Sequence, residues 1–174
     1  MAILDKDAFQ FSASDLHNGY QFLQDLLGNE FSRDVERPEP FIVRKTIKAF
    51  IDDAILVPHR TLPDTYNLTS EGYRKLVAFA AFSRPFLEAY KVVLHYFKNH
   101  PKGYHDKKRR LKKVQSLGNR MFKRKEIELS EALSGITYAN AIDQFATLGV
   151  RGSENMEEID NMRKTIDRHL KRVS

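Results

Sequence analysis

The sequence predicts a mainly α-helical protein carrying one small β-hairpin, and three observations carry that expectation. Apolar residues recur at helical spacing through most of the chain. One short stretch, residues 55–68, breaks into two brief strand-like runs around a Pro-bracketed turn. The composition is 41% apolar, with 12 Phe, 7 Tyr and no Trp, which points to a Phe-rich helical core and argues against long disorder. A length of 174 residues suits one domain, or one domain with an appendage.

The first helix is expected in SDLHNGYQFLQDLLGNE. Ser14 or Asp15 is placed to cap it, Leu16, Tyr20, Leu23 and Leu27 form its apolar stripe, and Gly28 is placed to end it. The next stretch, FSRDVERPEP, reads as a non-helical linker because of Pro38 and Pro40. FIVRKTIKAFIDDAI then sets Val43, Ile47, Phe50, Ile51 and Ala54 at helical spacing, with Arg44, Lys45 and Lys48 on another face. Ile55-Leu56-Val57 reads as a strand, His59 to Asp64 as a turn between Pro58 and Pro63, and Thr65 to Leu68 as the returning strand. Thr69 or Ser70 can cap the next helix, and Glu71 suits the positive end of that helix.

A long helical pattern runs from Tyr73 to about Phe97, with Leu76, Phe79, Phe86, Leu87, Tyr90, Val93, Leu94 and Phe97 among its apolar positions. Pro85 removes a backbone donor and crowds the preceding turn, so a kink or break is expected near Phe82–Arg84. Three further helices follow: Asp106 to Phe122, Thr137 to Leu148 with Gly149 just past its end, and Ser153 to Val173 with Ser153 as cap. Their stripes require partners, so they should pack on one another and on the 73–97 helix. The order helix, strand, turn, strand, helix, closed by YNLTSEGYRKL, is that of a winged-helix-like module. The expected organisation is therefore a winged-helix-like part at residues 1–75 and an antiparallel helical bundle at 76–174, packed into one unit.

Composition excludes several function classes. Without Cys there is neither a disulfide framework nor a Cys-based metal site. No apolar run approaches the ~20 residues that span a bilayer. MAILDKDAF carries acids where a secretion signal needs bases and an apolar core. The expected location is cytoplasmic, or peripheral at an inner membrane surface. A net charge of +6 favours phosphate-bearing partners, whether nucleic acid, anionic lipid or a phosphorylated metabolite. His17, His95, His100, His105 and His169 show no metal-ligand pairing, and no cofactor motif is present, so no metal or cofactor is expected.

Two motifs are candidates for chemistry. His59-Arg60-Thr61-Leu62-Pro63-Asp64 has the His-x4-Asp spacing in which an imidazole takes a hydroxyl proton and a carboxylate fixes its tautomer. Its place between two strands favours a solvated hairpin tip, and no catalytic residue is assigned. The second motif is the basic run HDKKRRLKK, where Lys107, Lys108, Arg109, Arg110, Lys112 and Lys113 are the candidate lipid- or phosphate-binding residues. Arg120, Lys123, Arg124 and Lys125 extend it. The same run reads equally as a solvated face or a nucleic-acid track. Arg44, Lys45 and Lys48 occupy the position of a recognition helix, although Asp52 and Asp53 would repel phosphate.

The series VRKTIKAFIDDAILVP, YNLTSEGYRKL, SRPFLEAYKVVL and LKKVQSLGNRMFKRKEIELSEALSGITYANAIDQFATLGV resembles the C-terminal region of bacterial glycerol-3-phosphate acyltransferases over roughly residues 30 to 172. Its most telling parts are Arg84-Pro85-Phe86-Leu87-Glu88-Ala89-Tyr90 and Glu131-Ala132-Leu133-Ser134, followed by Asn140-Ala141-Ile142 and Phe145. In that family the acyltransferase motifs lie upstream of the resembling region. The resemblance therefore implies that His59 and Asp64 match the spacing by accident. The nearest imitations of the companion motifs, Gly118 to Arg124 and Leu148 to Gly152, fall respectively at a helix end and without the required Glu. The resemblance implies phospholipid synthesis, with acyl transfer from acyl-CoA or acyl-carrier protein to glycerol 3-phosphate at the inner membrane face. This chain would supply a non-catalytic accessory module to an acyltransferase catalytic domain, its basic face turned to the membrane or an acidic partner. The alternative is a winged-helix nucleic-acid-binding protein, and the third reading is a small acyltransferase using His59 and Asp64.

Overall fold

The structure, a computed structural model, describes residue 3 and residues 9–31, 39–103 and 105–173, without the side chain of Glu39. It is mainly α with a small antiparallel sheet, as the sequence predicts. The elements in chain order are β1 (Gln10–Ser12), α1 (Ala13–Leu26), α2 (Glu39–Asp52), β2 (Leu56–Pro58), β3 (Thr65–Leu68), α3 (Ser70–Ala81), α4 (Arg84–Lys98), α5 (Lys107–Lys123), α6 (Gly135–Thr147) and α7 (Met156–Arg172). Short 3-10 turns lie at Ser130–Leu133 and Ser153–Asn155. The chain forms two units. One comprises Met1–Leu26, Ser32–Phe82 and Val173; the other comprises Leu27–Phe31, Ser83–Arg172 and Ser174.

In the first unit the sheet order is β1-β3-β2, with Phe11 opposite Tyr66 and Val57 opposite Asn67. Phe11, Leu16, Val43, Ile47, Ile55, Leu56, Leu68 and Leu76 make its core. Strand β1 is an addition to the expected hairpin. The cap of α1 is also corrected: Ser12, not Ser14 or Asp15, holds the first turn. Its hydroxyl accepts the Asp15 N–H at 3.2 Å, while the Asp15 carboxylate accepts the Ser12 N–H at 3.0 Å. Helix α1 stops at Leu26, before Gly28.

Pro40 does not exclude helix as expected. It sits in the first turn of α2, where a missing N–H costs nothing. The rest of the proposed linker, 32–38, lies outside the described residues. Ala54 leaves the α2 stripe: it is exposed with φ 55°, and Ile55 N–H bonds the Phe50 carbonyl at 2.8 Å. Thr69 is the cap of α3. It accepts Gly72 N–H at 2.8 Å and donates to the Ala54 carbonyl at 2.9 Å, tying the end of one helix to the start of the next. Gly72 lies so close to the Ile55 backbone that a Cβ there would sit 2.3 Å from the Ile55 carbonyl oxygen.

The break expected from Pro85 is present at Phe82–Ser83, and Pro85 occupies the first turn of α4. The 73–97 pattern is two helices, and in the second unit the later helices pack on α4, with α5 also against α6, as expected. Helix α4 is apolar nearly all round, with Leu87, Ala89, Tyr90, Val92, Val93, Leu94, Tyr96 and Phe97 buried. Helices α5, α6 and α7 all pack on it. Val114 and Met121 come from α5, Tyr138, Ala141, Ile142 and Phe145 from α6, and Ile159 and Ile166 from α7. Phe145 meets Tyr90 and Phe97 edge-on at 5.3 and 6.2 Å between ring centroids. Leu148 and Met156, at helix ends, are exposed. Gly149, at φ 82°, ends α6 as the sequence predicts.

Candidate functional site

His59 and Asp64 sit in the turn between β2 and β3. The turn consumes the imidazole. His59 Nδ1 accepts the main-chain N–H of Thr61 at 3.2 Å and of Leu62 at 3.1 Å. An Nδ1 that accepts carries no proton, so it has nothing to donate to a carboxylate, as a catalytic dyad requires. Among the described residues no hydrogen bond or ion pair joins His59 to Asp64. Asp64 is exposed with φ 49° and instead lines a cleft of about 310 Å³ with His17, Arg44, Ile47, Lys48 and Tyr66. His59 does not line it. Arg44, Lys45 and Lys48 are all exposed along α2.

The basic run forms the first two turns of α5. Asp106 caps it by accepting the Arg109 N–H at 2.9 Å, an acid placed where the helix dipole favours it. The six candidate residues then divide. Lys107 is paired with Asp143 of α6 at 3.3 Å, and Arg110 donates to the His105 carbonyl at 3.1 Å. Lys108, Arg109, Lys112 and Lys113 are exposed. Lys113 lines a cleft.

That cleft, of about 330 Å³, lies in the second unit where the last turns of α4 face α5. Helix α5 contributes Lys113, Ser116, Leu117 and Arg120, and α4 with the residues after it contributes His95, Tyr96, Asn99 and His100. The spacing 113, 116, 117, 120 is one helical face, and 95, 96, 99, 100 is another. No carboxylate lines the space. Behind it, Tyr96 stacks on His100 with ring centroids 4.2 Å apart, and Tyr96 Oη bonds His105 Nδ1 at 2.6 Å. His105 is buried.

The local potential is positive. Burial pushes the His95 pKa down, and Arg163, Lys98 and Lys91 push the same way against Glu126. Burial also lowers that of His105, helped by Arg109, His100 and Lys113 against Asp106. Sequence reasoning reached Lys113 through the charge run but missed His95, Asn99, His100 and Ser116. For Ser116 the available signal was the helical spacing it shares with Lys113 and Arg120; His95, Asn99 and His100 belong to another helical face.

The other motif residues serve packing. Arg84 and Glu88 of α4 form an ion pair at 3.1 Å, and Arg84 also meets Glu128. Glu30 accepts from Tyr90 Oη at 3.2 Å and Asn140 Nδ2 at 3.3 Å, binding residues 27–31 to α4 and α6. Burial raises the Glu30 pKa against those two hydrogen bonds. Ser134 caps α6 by accepting the Thr137 N–H. Gly118, which imitates a phosphate-motif glycine, is buried against the Tyr138 hydroxyl instead.

Among the described residues no cluster of three or more His, Asp or Glu could hold a metal ion. No described helix is long and apolar enough to cross a membrane. No curated protein and no solved structure matches the chain. The glycerol-3-phosphate acyltransferase C-terminal region matches residues 1–154, starting and ending earlier than the likeness visible in the motifs. Because that match takes in both the hairpin and the helices that enclose the basic cleft, the chain belongs to the glycerol-3-phosphate acyltransferase C-terminal region family.

Proposed function

We propose that this chain is a non-catalytic accessory region of a glycerol-3-phosphate acyltransferase-like protein of phospholipid biosynthesis. It works beside a separate acyltransferase catalytic region at the cytoplasmic face of a membrane, with the basic face of α5 toward anionic lipid or an acidic partner. The observation that carries the reading is the His59 turn. Its Nδ1 is occupied by two main-chain donors and Asp64 is not its partner, so the chain's one His-x4-Asp lacks the geometry of a general base. Exposed Lys108, Arg109 and Lys112 supply the basic face, where each charge adds about 1 kcal/mol of attraction to an anionic surface. The test is turnover of acyl-CoA and glycerol 3-phosphate. The chain alone should give none, and addition of the family's catalytic region should give binding. Turnover by the chain alone that disappears in His59→Ala defeats the proposal.

A second reading, a winged-helix nucleic-acid binder, draws on the β1-β3-β2 order and on Arg44, Lys45 and Lys48 standing exposed on the helix before the hairpin. It predicts duplex binding that weakens steeply with salt and is lost in the Arg44→Ala, Lys48→Ala double variant. Absence of duplex binding at low salt removes it.

A further inference from the structure

We infer that the cleft between the end of α4 and α5 is a receptor for a phosphate group, held by Lys113 and Arg120 with Ser116 and Asn99 as neutral donors. The inference deepens the α5 part of the proposal above and stands apart from the accessory role.

Several features separate this cleft from ordinary basic surface. Neighbouring cations in the same unit are consumed: Lys107 by Asp143, Lys98 by Asp160 and Lys91 by Asp167. Lys113 and Arg120 form no such pair among the described residues, and both line a concave space without a carboxylate. They stand two turns, about 10.5 Å, apart on α5 with Ser116 between them, a span that two long flexible side chains lining one space can close around a single anion. Asn99, whose Nδ2 gives one hydrogen to the His95 carbonyl at 2.8 Å, adds its second amide hydrogen from the opposite wall, and His95 and His100 add imidazoles. On α7, Arg163 acts on His95 and keeps a buried Nε with no acceptor among the described residues, a further surplus of positive potential. The nearby acids, Glu126 and Asp106, act on His95 and His105 but do not line the space.

The donor set selects phosphate. Two cations match the charge of a phosphate monoester, about −1.5 to −2, better than the single charge of a carboxylate, and its three strong acceptor oxygens can take both cations, a hydroxyl and an amide. A space of about 330 Å³ also admits a short organic group beside Leu117 and the Tyr96–His100 stack. That chemistry has two sources: a soluble phosphate ester, or the phosphate-monoester headgroup of a lipid.

The experiment uses the 174-residue chain and two probes. Inorganic phosphate is titrated while the His95 imidazole resonance is followed, and vesicles of phosphatidylcholine with or without phosphatidic acid are sedimented with the protein. Saturable phosphate binding that raises the His95 pKa is expected. The Lys113→Ala, Arg120→Ala double variant should weaken it about a hundredfold, since each charged hydrogen bond contributes about tenfold or more. The Lys164→Ala, Lys171→Ala double variant on α7 removes the same charge outside the cleft and should change it less than about twofold. Both pairs are exposed, and circular dichroism verifies that each variant folds. Phosphatidic acid vesicles that phosphate displaces assign the lipid headgroup; phosphate binding without vesicle binding assigns a soluble ester. Absence of saturable phosphate binding, or equal loss in the two double variants, overturns the inference.

Discussion

The Glu88 carboxylate, 2% exposed on α4, accepts the Leu129 main-chain N–H at 2.9 Å. The same oxygen accepts the Glu128 N–H at 2.9 Å, and the other receives Arg84 Nε at 3.1 Å. One buried charge thereby satisfies two main-chain donors beyond the end of α5 and anchors the segment leading to Ile127, Ala132 and α6. Removing one partner of a buried, hydrogen-bonded charge leaves the others desolvated and unpaired. Glu88→Gln should therefore cost about 2–4 kcal/mol of unfolding free energy in urea titration, and Arg84→Ala less, because Glu88 keeps its main-chain donors. A loss under about 0.5 kcal/mol for Glu88→Gln would show that the loop is held by something else.

Three helices end in one geometry. Ile55 N–H bonds Phe50 O, Glu126 N–H bonds Met121 O and Val150 N–H bonds Phe145 O, with Ala54 (φ 55°), Lys125 (φ 58°) and Gly149 (φ 82°) in the left-handed position between. Gly149 alone meets that requirement without strain. Ala54→Gly and Lys125→Gly should each raise stability by about 0.5–1 kcal/mol, and Gly149→Ala should lower it by about 1 kcal/mol. Thermal or urea unfolding reads all three, and stabilisation by Gly149→Ala would contradict the assignment.

These caps mark where the sequence is readable. Gly149 announces its helix end because Gly is the residue that the position favours; Ala54 and Lys125 occupy the same conformation and announce nothing. The stripes of α6 and α7 are legible because burial repeats every three or four residues, α4 because it is apolar nearly all round, and Pro85 places the break before it. Strand β1 is three residues, one of them apolar, and exists through pairing with β3 more than fifty residues later. Within the cleft, Lys113 belongs to a visible charge run, whereas its facing residues His95, Asn99 and His100 come from another helix. Which lysines are spent depends on partners such as Asp143, whose proximity is set by packing.

Tyr138 and Gly118 offer a direct probe of the α5–α6 contact. The Tyr138 hydroxyl is buried with no hydrogen-bond partner among the described residues, and burial pushes its pKa up to about 12. A Cβ on Gly118 would lie 2.1 Å from that oxygen. Tyr138→Phe removes an unsatisfied polar group and should be neutral or stabilising by up to about 1 kcal/mol. Gly118→Ala gains helix propensity but forces the helices apart, for a net loss of about 1–3 kcal/mol. In the double variant the oxygen is gone, so the combined loss should be smaller than the sum, by at least about 0.5 kcal/mol. Strict additivity would show that the two residues do not meet.

The imidazoles beside the cleft set an acid-side limit on stability. His95 and His105 both have folded pKa values below the unfolded 6.5. The unfolded chain therefore binds more protons than the folded chain once pH falls through 6.5, and stability declines with acidification from there. Glu30 works oppositely. Its folded pKa lies above 4.5, so its burial weakens the fold as pH rises through that value. The measurement is therefore made in a Glu30→Gln background, which should itself be more stable at pH 7. Urea midpoints should fall steadily below about pH 6.5, and His95→Gln should flatten part of that slope. Salt separates the causes. Raising ionic strength from about 0.15 M to 1 M shrinks the screening length from ~8 to ~3 Å and should remove the contribution of exposed cations such as Lys113 and Arg109. Burial is the larger cause for both residues, so most of the slope should survive. A slope abolished by salt would assign the depression to the surrounding charges instead.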